Sequence, residues 1–270
     1  MAILTADQYF GAARQRVGWR KTASRTTIAA QRFSMLDLAG NPGAGSLTVG
    51  NTTTGLVPTD ATAGFPLIGA FSAGGSVLGY LGAAQFRSSV TGGCVLYDRL
   101  FHVGSIALNA LGTTTLSAQP SFTARLPGGN NYSDVDLLLE INAAVSATAT
   151  TVAVNYNDEN ATAQNTAAIN VSGFTTGRVE LFPLAGANKN ARQINSVTVG
   201  GTVATTGSVN IILARRLAEF DIRVANAMDA QGWDIGGSPL VYADSALWPM
   251  VQPDSTSSGL PSLSMTILNG

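Results

Sequence analysis

From about residue 94 the chain consists of short apolar runs of β type, and in several of them, such as Thr150–Tyr156, apolar and polar side chains alternate with a period of two. This period is that of a half-buried β-strand, because successive side chains of a strand point to opposite faces. Turn residues such as Gly, Asn, Asp and Pro separate the alternating runs. The runs predicted as strands are Cys94–Val103, Ala118–Leu126, Asp136–Ala143, Thr150–Tyr156, Ala167–Val171, Arg178–Pro183, Ala191–Val199 and Ser208–Arg215. Strands at this spacing predict a mainly β fold, an antiparallel β-sandwich or jelly-roll-like domain over residues 94–220.

A different pattern begins the chain. Thr5 and Gln8 have the spacing of a capping box, so a helix is predicted to start near Ala6. The helical pattern weakens after Gly18, and polar residues follow. Residues 1–32 are therefore predicted to form an N-terminal helix and an extended basic arm.

Residues 33–93 are dense in Gly and Thr, which predicts loops with short strands such as Leu47–Val49 and Val77–Phe86. Residues 64–84 carry no charge, and the segment is long enough to span a bilayer. Gly and Pro66 break helices, however, and large aliphatic residues are sparse, so a Gly-rich loop leading into a strand is favoured over a membrane helix.

The pattern loosens again in residues 221–270, which are predicted to be a C-terminal extension of the sandwich. The segment AMDAQGW, residues 227–233, suggests a helical turn. A final strand is predicted at Leu263–Leu268.

Composition narrows the functional classes. Charged residues make up only 11 % of the 270 residues, and the net charge is −1, whereas a soluble domain usually carries about a quarter charged residues. A hydrophobic content of 45 % does not suit a disordered chain. Small neutral side chains suit a surface packed against copies of the protein or against partners. The N-terminus lacks the apolar core of a signal peptide, so we expect synthesis in a cytoplasm without export by the standard route.

Candidate catalytic chemistry is concentrated in CVLYDRLFHVGS, residues 94–105, which contains the only cysteine and the only histidine. In a straight strand, the eight positions from Cys94 to His102 correspond to about 26 Å. A cysteine–histidine dyad needs hydrogen-bond contact, so we interpret this segment as a strand. Asp98 and Arg99 are predicted to point to opposite faces of it, where each could pair within the subunit or across an interface.

Other site chemistry is weakly represented. The turn NDENAT, residues 157–162, resembles part of a calcium loop but lacks its Gly and its distal Glu. The sequence has no phosphate loop and no GxSxG nucleophile elbow, and one histidine cannot form a multi-histidine metal site. We therefore predict a non-enzymatic protein with no catalytic residue, no cofactor and no metal.

Positive charge accumulates near the N-terminus, where six cations oppose Asp7 alone. Such cations could contact nucleic-acid phosphates while Trp19 stacks on a base. We favour an acidic groove on a partner subunit as their target. The predicted partner-binding residues are Arg14, Arg16, Arg20, Lys21, Arg25 and Arg32.

Several segments resemble a group of tailed-bacteriophage virion structural proteins. They are VLYDRLFHVGSI at 95–106, the Gly-Arg and Leu-Phe-Pro-Leu of residues 175–199, SVNIILARRLAEF at 208–220 and SPLVYADSALWPM at 238–250. In that group an LYDRL strand opens a β-rich region, and a strand ending in ARRLAE closes it. The resemblance spans residues 77–270, and its motifs are not catalytic signatures.

The resemblance implies a capsid decoration (cement) protein that stabilises the head shell through repeated interfaces. Its expected partners are the major capsid protein and copies of itself, in a homo-oligomer such as a trimer. Its expected place is the capsid surface of a virion assembled in the host cytoplasm, without a membrane. A tail, neck or fibre-attachment protein is the alternative within the virion. A carbohydrate-binding β-sandwich is the alternative outside it, although the three tryptophans, Trp19, Trp233 and Trp248, are far apart in sequence.

Overall fold

A computed structural model of the chain describes residues 5–48, 50–71, 78–185, 190–232 and 238–269. Helix α1 spans Ala6–Gly11, and short 3-10 turns occupy Thr123–Arg125 and Pro127–Gly129. The strands are β1 Arg14–Lys21, β2 Arg32–Ser34, β3 Gly40–Asn41, β4 Asn51–Leu56, β5 Leu78–Arg87, β6 Gly92–Ala107, β7 Gly112–Thr115, β8 Val135–Ala143, β9 Thr150–Asp158, β10 Ala163–Asn165, β11 Ile169–Asn170, β12 Arg178–Leu181, β13 Ala191–Gly201, β14 Ser208–Ile222, β15 Met228–Gly232, β16 Leu240–Tyr242, β17 Leu247–Pro253 and β18 Ser262–Asn269.

The chain forms two compact units, each built from separate segments. Unit 1 comprises Met1–Gly45, Thr59–Asp98 and Leu217–Gly270, and unit 2 comprises Ser46–Pro58 and Arg99–Arg216. The long strands β6 and β14 therefore contribute residues to both units. The four consecutive segments proposed from the sequence, 1–32, 33–93, 94–220 and 221–270, remain predictions.

Unit 1 contains an antiparallel sheet in the order β15–β5–β18–β1–β3, with β16 also paired to β5. The residues predicted to form an arm after the helix are extended, but they are paired as the internal strand β1 rather than free. Val17 and Trp19 alternate with exposed residues and enter the core, while β18 and β3 bond to the two edges of β1. The capping box at Thr5 and Gln8 is present at the start of α1, as predicted.

A second layer of unit 1 is formed by β17, which pairs with β2 and with the first half of β6. The two layers enclose one apolar cluster, which draws side chains from strands far apart in sequence. Its larger members include Trp19, Phe33, Phe86, Leu96, Phe220 and Met265.

Unit 2 is a sandwich of its own. One sheet has the order β10–β9–β13–β7, with β11 also on β9, and the other contains β14, β8 and β12. The predicted alternation in β9 is confirmed, because Val152, Val154 and Tyr156 are buried while the residues between them are less so. Their partners in the core include Leu137, Ile141, Ile194, Val197 and Ile211. The prediction of a mainly β, antiparallel sandwich-like fold is confirmed.

Two local predictions are wrong. Ala118–Leu126 is not a strand: Ala118 has a φ of 47°, which interrupts extended backbone, and Pro120 cannot donate to a ladder. Residues 227–232 do not form the predicted helical turn, because Met228–Gly232 is strand β15 paired with β5.

Other predictions lie partly outside the described residues, namely those on Val49, Val77 and Trp233. Leu47 and Thr48 are not in a strand, although Leu47 is buried. The charge-free segment leads into β5, as predicted. Among the described residues, no helix has the length and apolar character needed to cross a bilayer.

Candidate functional site: a basic sheet face in unit 1

Because side chains alternate along β1, its arginines lie on the exposed face of the strand and its lysine on the buried face. Arg14, Arg16 and Arg20 are exposed, whereas Val17 and Trp19 are buried beneath them. Side chains two positions apart on a strand are separated by about 7 Å, so the three arginines form a row along one outer face. This row is the first part of the candidate site.

A fourth arginine joins the row through strand pairing. Ser262 of β18 lies opposite Arg20 of β1 on one side and opposite Arg87 of β5 on the other. Adjacent strands are about 4.8 Å apart, which puts the Cα atoms of the two arginines about 10 Å apart. We call Arg14, Arg16, Arg20 and Arg87 the basic face.

The side chains of Arg16, Arg20 and Arg87 form no hydrogen bond or ion pair with any other residue in the described part of the chain. Their guanidinium groups are therefore available to an external anion. The preceding cross-strand row, Gly18–Ser264–Gln85, carries no charge.

A concavity of about 360 Å³ lies between Arg20 and Arg87. The backbone around it is fixed by hydrogen bonds: Leu260 N donates to Ser89 Oγ at 2.9 Å, and Asn226 N donates to Ser88 O at 2.8 Å. We call it the Arg20–Arg87 concavity, and it is lined by Arg20, Arg87, Ser88, Ser89, Asn226, Leu260 and Ser262.

No carboxylate is among these lining residues. In the neighbouring segment that leads from the end of β14 to β15, Asp221 Oδ2 accepts from Arg223 Nε at 2.9 Å. Asp229 Oδ2 accepts from the backbone N–H of Asp221 at 2.9 Å. The concavity is therefore positively charged, and the nearby acids have their own partners.

The remaining predicted partner-binding residues have internal contacts. Arg14 donates to the Tyr9 carbonyl at 3.1 Å, and its guanidinium lies 5.3 Å from the centre of the Tyr9 ring, so it ties α1 to β1. Arg25 forms an ion pair with Asp37. Arg32 Nε is 3.4 Å from Gln252 Oε1.

Lys21 lies on the buried face of β1, opposite to the exposed arginines. Its Nζ donates to the Leu38 carbonyl at 2.9 Å and lies 5.7 Å from the centre of the Trp19 ring. Burial lowers the pKa of Lys21 to about 8, although the nearby Asp37 carboxylate acts in the opposite direction. A buried ammonium is not accessible to a partner surface.

Arg87 was not among the residues predicted from the sequence. A signal for it was present, because Ala84 and Phe86 point inward in β5 and their alternation turns Gln85 and Arg87 outward. The cross-strand meeting of Arg87 with Arg20, however, depends on β18, which is remote from both in sequence.

The CVLYDRLFHVGS segment lies in β6 and is almost wholly buried. Cys94 and His102 are eight positions apart in one continuous strand, so they form no dyad. Burial raises the pKa of the Cys94 thiol far above its ordinary value, although a backbone hydrogen bond involving Met250 partly offsets this. The thiol is thus a buried small hydrophobe, as predicted.

Asp98 and Arg99 both find partners within the chain. In unit 1, Ser245 Oγ donates to Asp98 Oδ2 at 2.8 Å. In unit 2, Arg99 Nη2 lies 3.0 Å from Glu140 Oε2. Of the alternatives left open by the sequence, pairing within the subunit is the one observed. Across the described ranges, no group of three or more His, Cys, Asp or Glu side chains could hold a metal ion.

Known proteins similar to this chain do not identify a family for it. No protein-family model matches the chain, and no curated protein matches it by sequence. Among solved structures, the VP2 subviral particle of infectious bursal disease virus overlaps 96 % of this chain and 81 % of its own at 10 % identity, with a TM-score of 0.19. The T13 particle of the same virus overlaps 95 % and 77 % at 10 % identity, with a TM-score of 0.18. At TM-scores this low, the overlaps carry no inference about fold or function.

Proposed function

We propose that this chain is a non-enzymatic virion structural protein, a capsid decoration protein of a tailed bacteriophage. The observation that carries the proposal is the basic face, whose arginines Arg16, Arg20 and Arg87 have no partner among the described residues. The resemblance of residues 77–270 to phage virion proteins supports the same class. The target would be an acidic surface of the major capsid protein.

A sheet face suits this task better than a flexible arm. Strands β1 and β5 hold the backbone of these cations at fixed spacings, so the backbone loses little conformational entropy when a partner binds. Each exposed charge contact is weak. Many copies on a capsid lattice, joined in a homo-oligomer, would add such contacts into stable attachment.

A carbohydrate-binding role finds less support. Sugar-binding sandwiches need exposed aromatic or polar clefts, but Trp19 and Trp248 are buried in the core of unit 1. Trp233 lies outside the described residues. A tail, neck or fibre-attachment protein would be present in far fewer copies per virion than a decoration protein, so the copy number distinguishes these roles.

The test combines counting with binding. Purified virions should contain the chain at a copy number comparable to that of the major capsid protein. Purified protein should bind shells that lack it, and the double variant Arg16→Glu/Arg20→Glu should lose that binding. Arg192→Glu, which makes the same kind of change on an exposed side chain of unit 2, is the matched control and should bind normally.

A copy number far below that of the capsid protein would contradict decoration and favour the tail or neck. Normal shell binding by Arg16→Glu/Arg20→Glu would remove the basic face from the function.

A further inference from the structure

We propose that the Arg20–Arg87 concavity binds a carboxylate side chain of a protein partner, presented on a segment that also carries apolar residues. This deepens the function proposed above, and it rests on that function only for the identity of the partner. The ligand class follows from two independent features of the concavity, its charge and its rim.

The charge comes from two guanidinium groups on rigid strands. Arg20 and Arg87 lie on either side of Ser262, in one row across three strands. A guanidinium offers N–H groups in a planar fork that matches both oxygens of a carboxylate. Both arginines line the concavity with Ser262 between them, so both forks can reach one carboxylate.

The rim is apolar, and it distinguishes a protein from a nucleic acid. Leu260, Met228 and Val224 are 47 %, 58 % and 67 % exposed, which is high for side chains of this size. Met228 lies opposite Arg87 in the β15–β5 ladder, and Val224 belongs to the turn that also contains Asn226. Arginine and methionine are enriched at protein interfaces. A phosphodiester backbone offers nothing for three apolar side chains to cover.

The rim of the concavity is held in place by hydrogen bonds within the protein, before any ligand binds. Ser89 holds the backbone of Leu260 and Ser88 holds that of Asn226, so both rim segments are tied to the end of β5. A site that needs little ordering loses less affinity to conformational entropy. Modest affinity from a short segment is therefore expected to be measurable.

The experiment is a titration of the full chain, followed by backbone amide NMR shifts at low salt. The probe is a short capped peptide of alternating leucine and glutamate. Its leucine–glutamine analogue and a single-stranded oligonucleotide of equal charge are the comparison ligands. Saturable shifts should centre on Ser88, Ser89 and Leu260 and appear with the glutamate peptide alone.

Variants locate the binding. Arg20→Ala or Arg87→Ala should weaken binding of the peptide at least about tenfold, which is the loss expected when a charge-assisted hydrogen bond is removed. Arg192→Ala is the matched control, because it removes the same exposed group from unit 2, outside the basic face, and it should bind within about twofold of the wild type. Arg87→Lys, which keeps the charge but loses the fork, should be intermediate. Thermal unfolding checks that each variant is folded.

Three results would overturn the proposal. They are equal binding of the glutamine analogue, binding of the oligonucleotide but not of the peptide, and equal losses for Arg192→Ala and Arg20→Ala. Peptide binding together with a low copy number in virions would contradict decoration and leave the carboxylate site standing. A high copy number in virions without peptide binding would contradict the carboxylate site and leave decoration standing.

Discussion

Arg99 and Glu140 form a bidentate ion pair inside unit 2. Arg99 Nη2 lies 3.0 Å from Glu140 Oε2, and Arg99 Nη1 lies 3.4 Å from Glu140 Oε1. The two side chains are only 2 % and 0 % exposed. Asn210 Nδ2 donates to the same Oε2 at 2.9 Å and to the Leu47 carbonyl at 2.8 Å. Arg125 Nη2 donates to the Arg99 carbonyl at 3.0 Å. Protein groups, rather than bulk water, therefore solvate this pair.

Removing one partner of the pair should be costly. Glu140→Ala leaves a guanidinium buried without its counter-ion, so we expect the free energy of unfolding to fall by about 3–5 kcal/mol. Replacing both partners, as in Arg99→Met/Glu140→Leu, should cost less than Glu140→Ala alone, because no uncompensated charge remains. Urea unfolding followed by circular dichroism measures both.

An exposed pair provides the control. Arg223 and Asp221 are 88 % and 60 % exposed at their side chains, and Arg223→Ala should change stability by less than about 1 kcal/mol. A loss for Glu140→Ala no larger than that for Arg223→Ala would show that the buried pair contributes little.

Lys21 should give stability a measurable dependence on alkaline pH. Burial lowers the pKa of Lys21 from 10.5 to about 8, so the unfolded chain binds more protons between these values. Above about pH 10.5 Lys21 is neutral in both states, and the stability gained by not burying its charge is fully present. This stability is lost as the pH falls through about 8, where the folded protein must hold the charged form. Relative to Lys21→Met, wild-type stability should rise by about 1–2 kcal/mol across this window, a figure reduced for solvent screening. Parallel curves for the two proteins would contradict the shift.

Cys94 should react only when unit 1 opens. The thiol is buried, and burial raises its pKa far above the ordinary value, so almost no thiolate is available to a reagent. A disulfide reagent at pH 8 should label the native protein at least about a thousandfold more slowly than the unfolded protein. Absorbance of the released thiol follows the reaction. Rapid labelling under native conditions would contradict the buried placement.

The strands were largely predictable because their alternation is local. Thr150–Tyr156 shows the period of two that one buried face imposes. Ser208–Arg215 is buried on both faces and was predictable from its apolar content instead. The strand predicted over Ala118–Leu126 fails for a reason that composition does not reveal, since Ala118 adopts a positive φ. The parity of Arg14, Arg16 and Arg20 was also present in the sequence. It becomes an exposed face only because β1 is paired with β18, which is remote from it in sequence.

Partnerships across the sheet were not predictable. Arg99 and Glu140 are 41 positions apart, and nothing local assigns one to the other. A weaker signal existed, because Glu140 interrupts an apolar run in β8, a strand buried on both faces. A charge in such a strand needs a buried counter-ion. The identity of that counter-ion depends on the order of the strands, which is a property of the whole fold.

The position of β18 has a consequence for biosynthesis. It lies between β5 and β1, so the sheet of unit 1 is incomplete until β18, which is translated long after both of its neighbours, has left the ribosome. A nascent chain emerging from the ribosome would hold β1 with one edge unpaired and with Val17 and Trp19 uncovered. Contacts of such long sequence separation slow folding and lengthen exposure to aggregation. Production of this protein should therefore be sensitive to translation speed and to chaperones that shield unpaired strands.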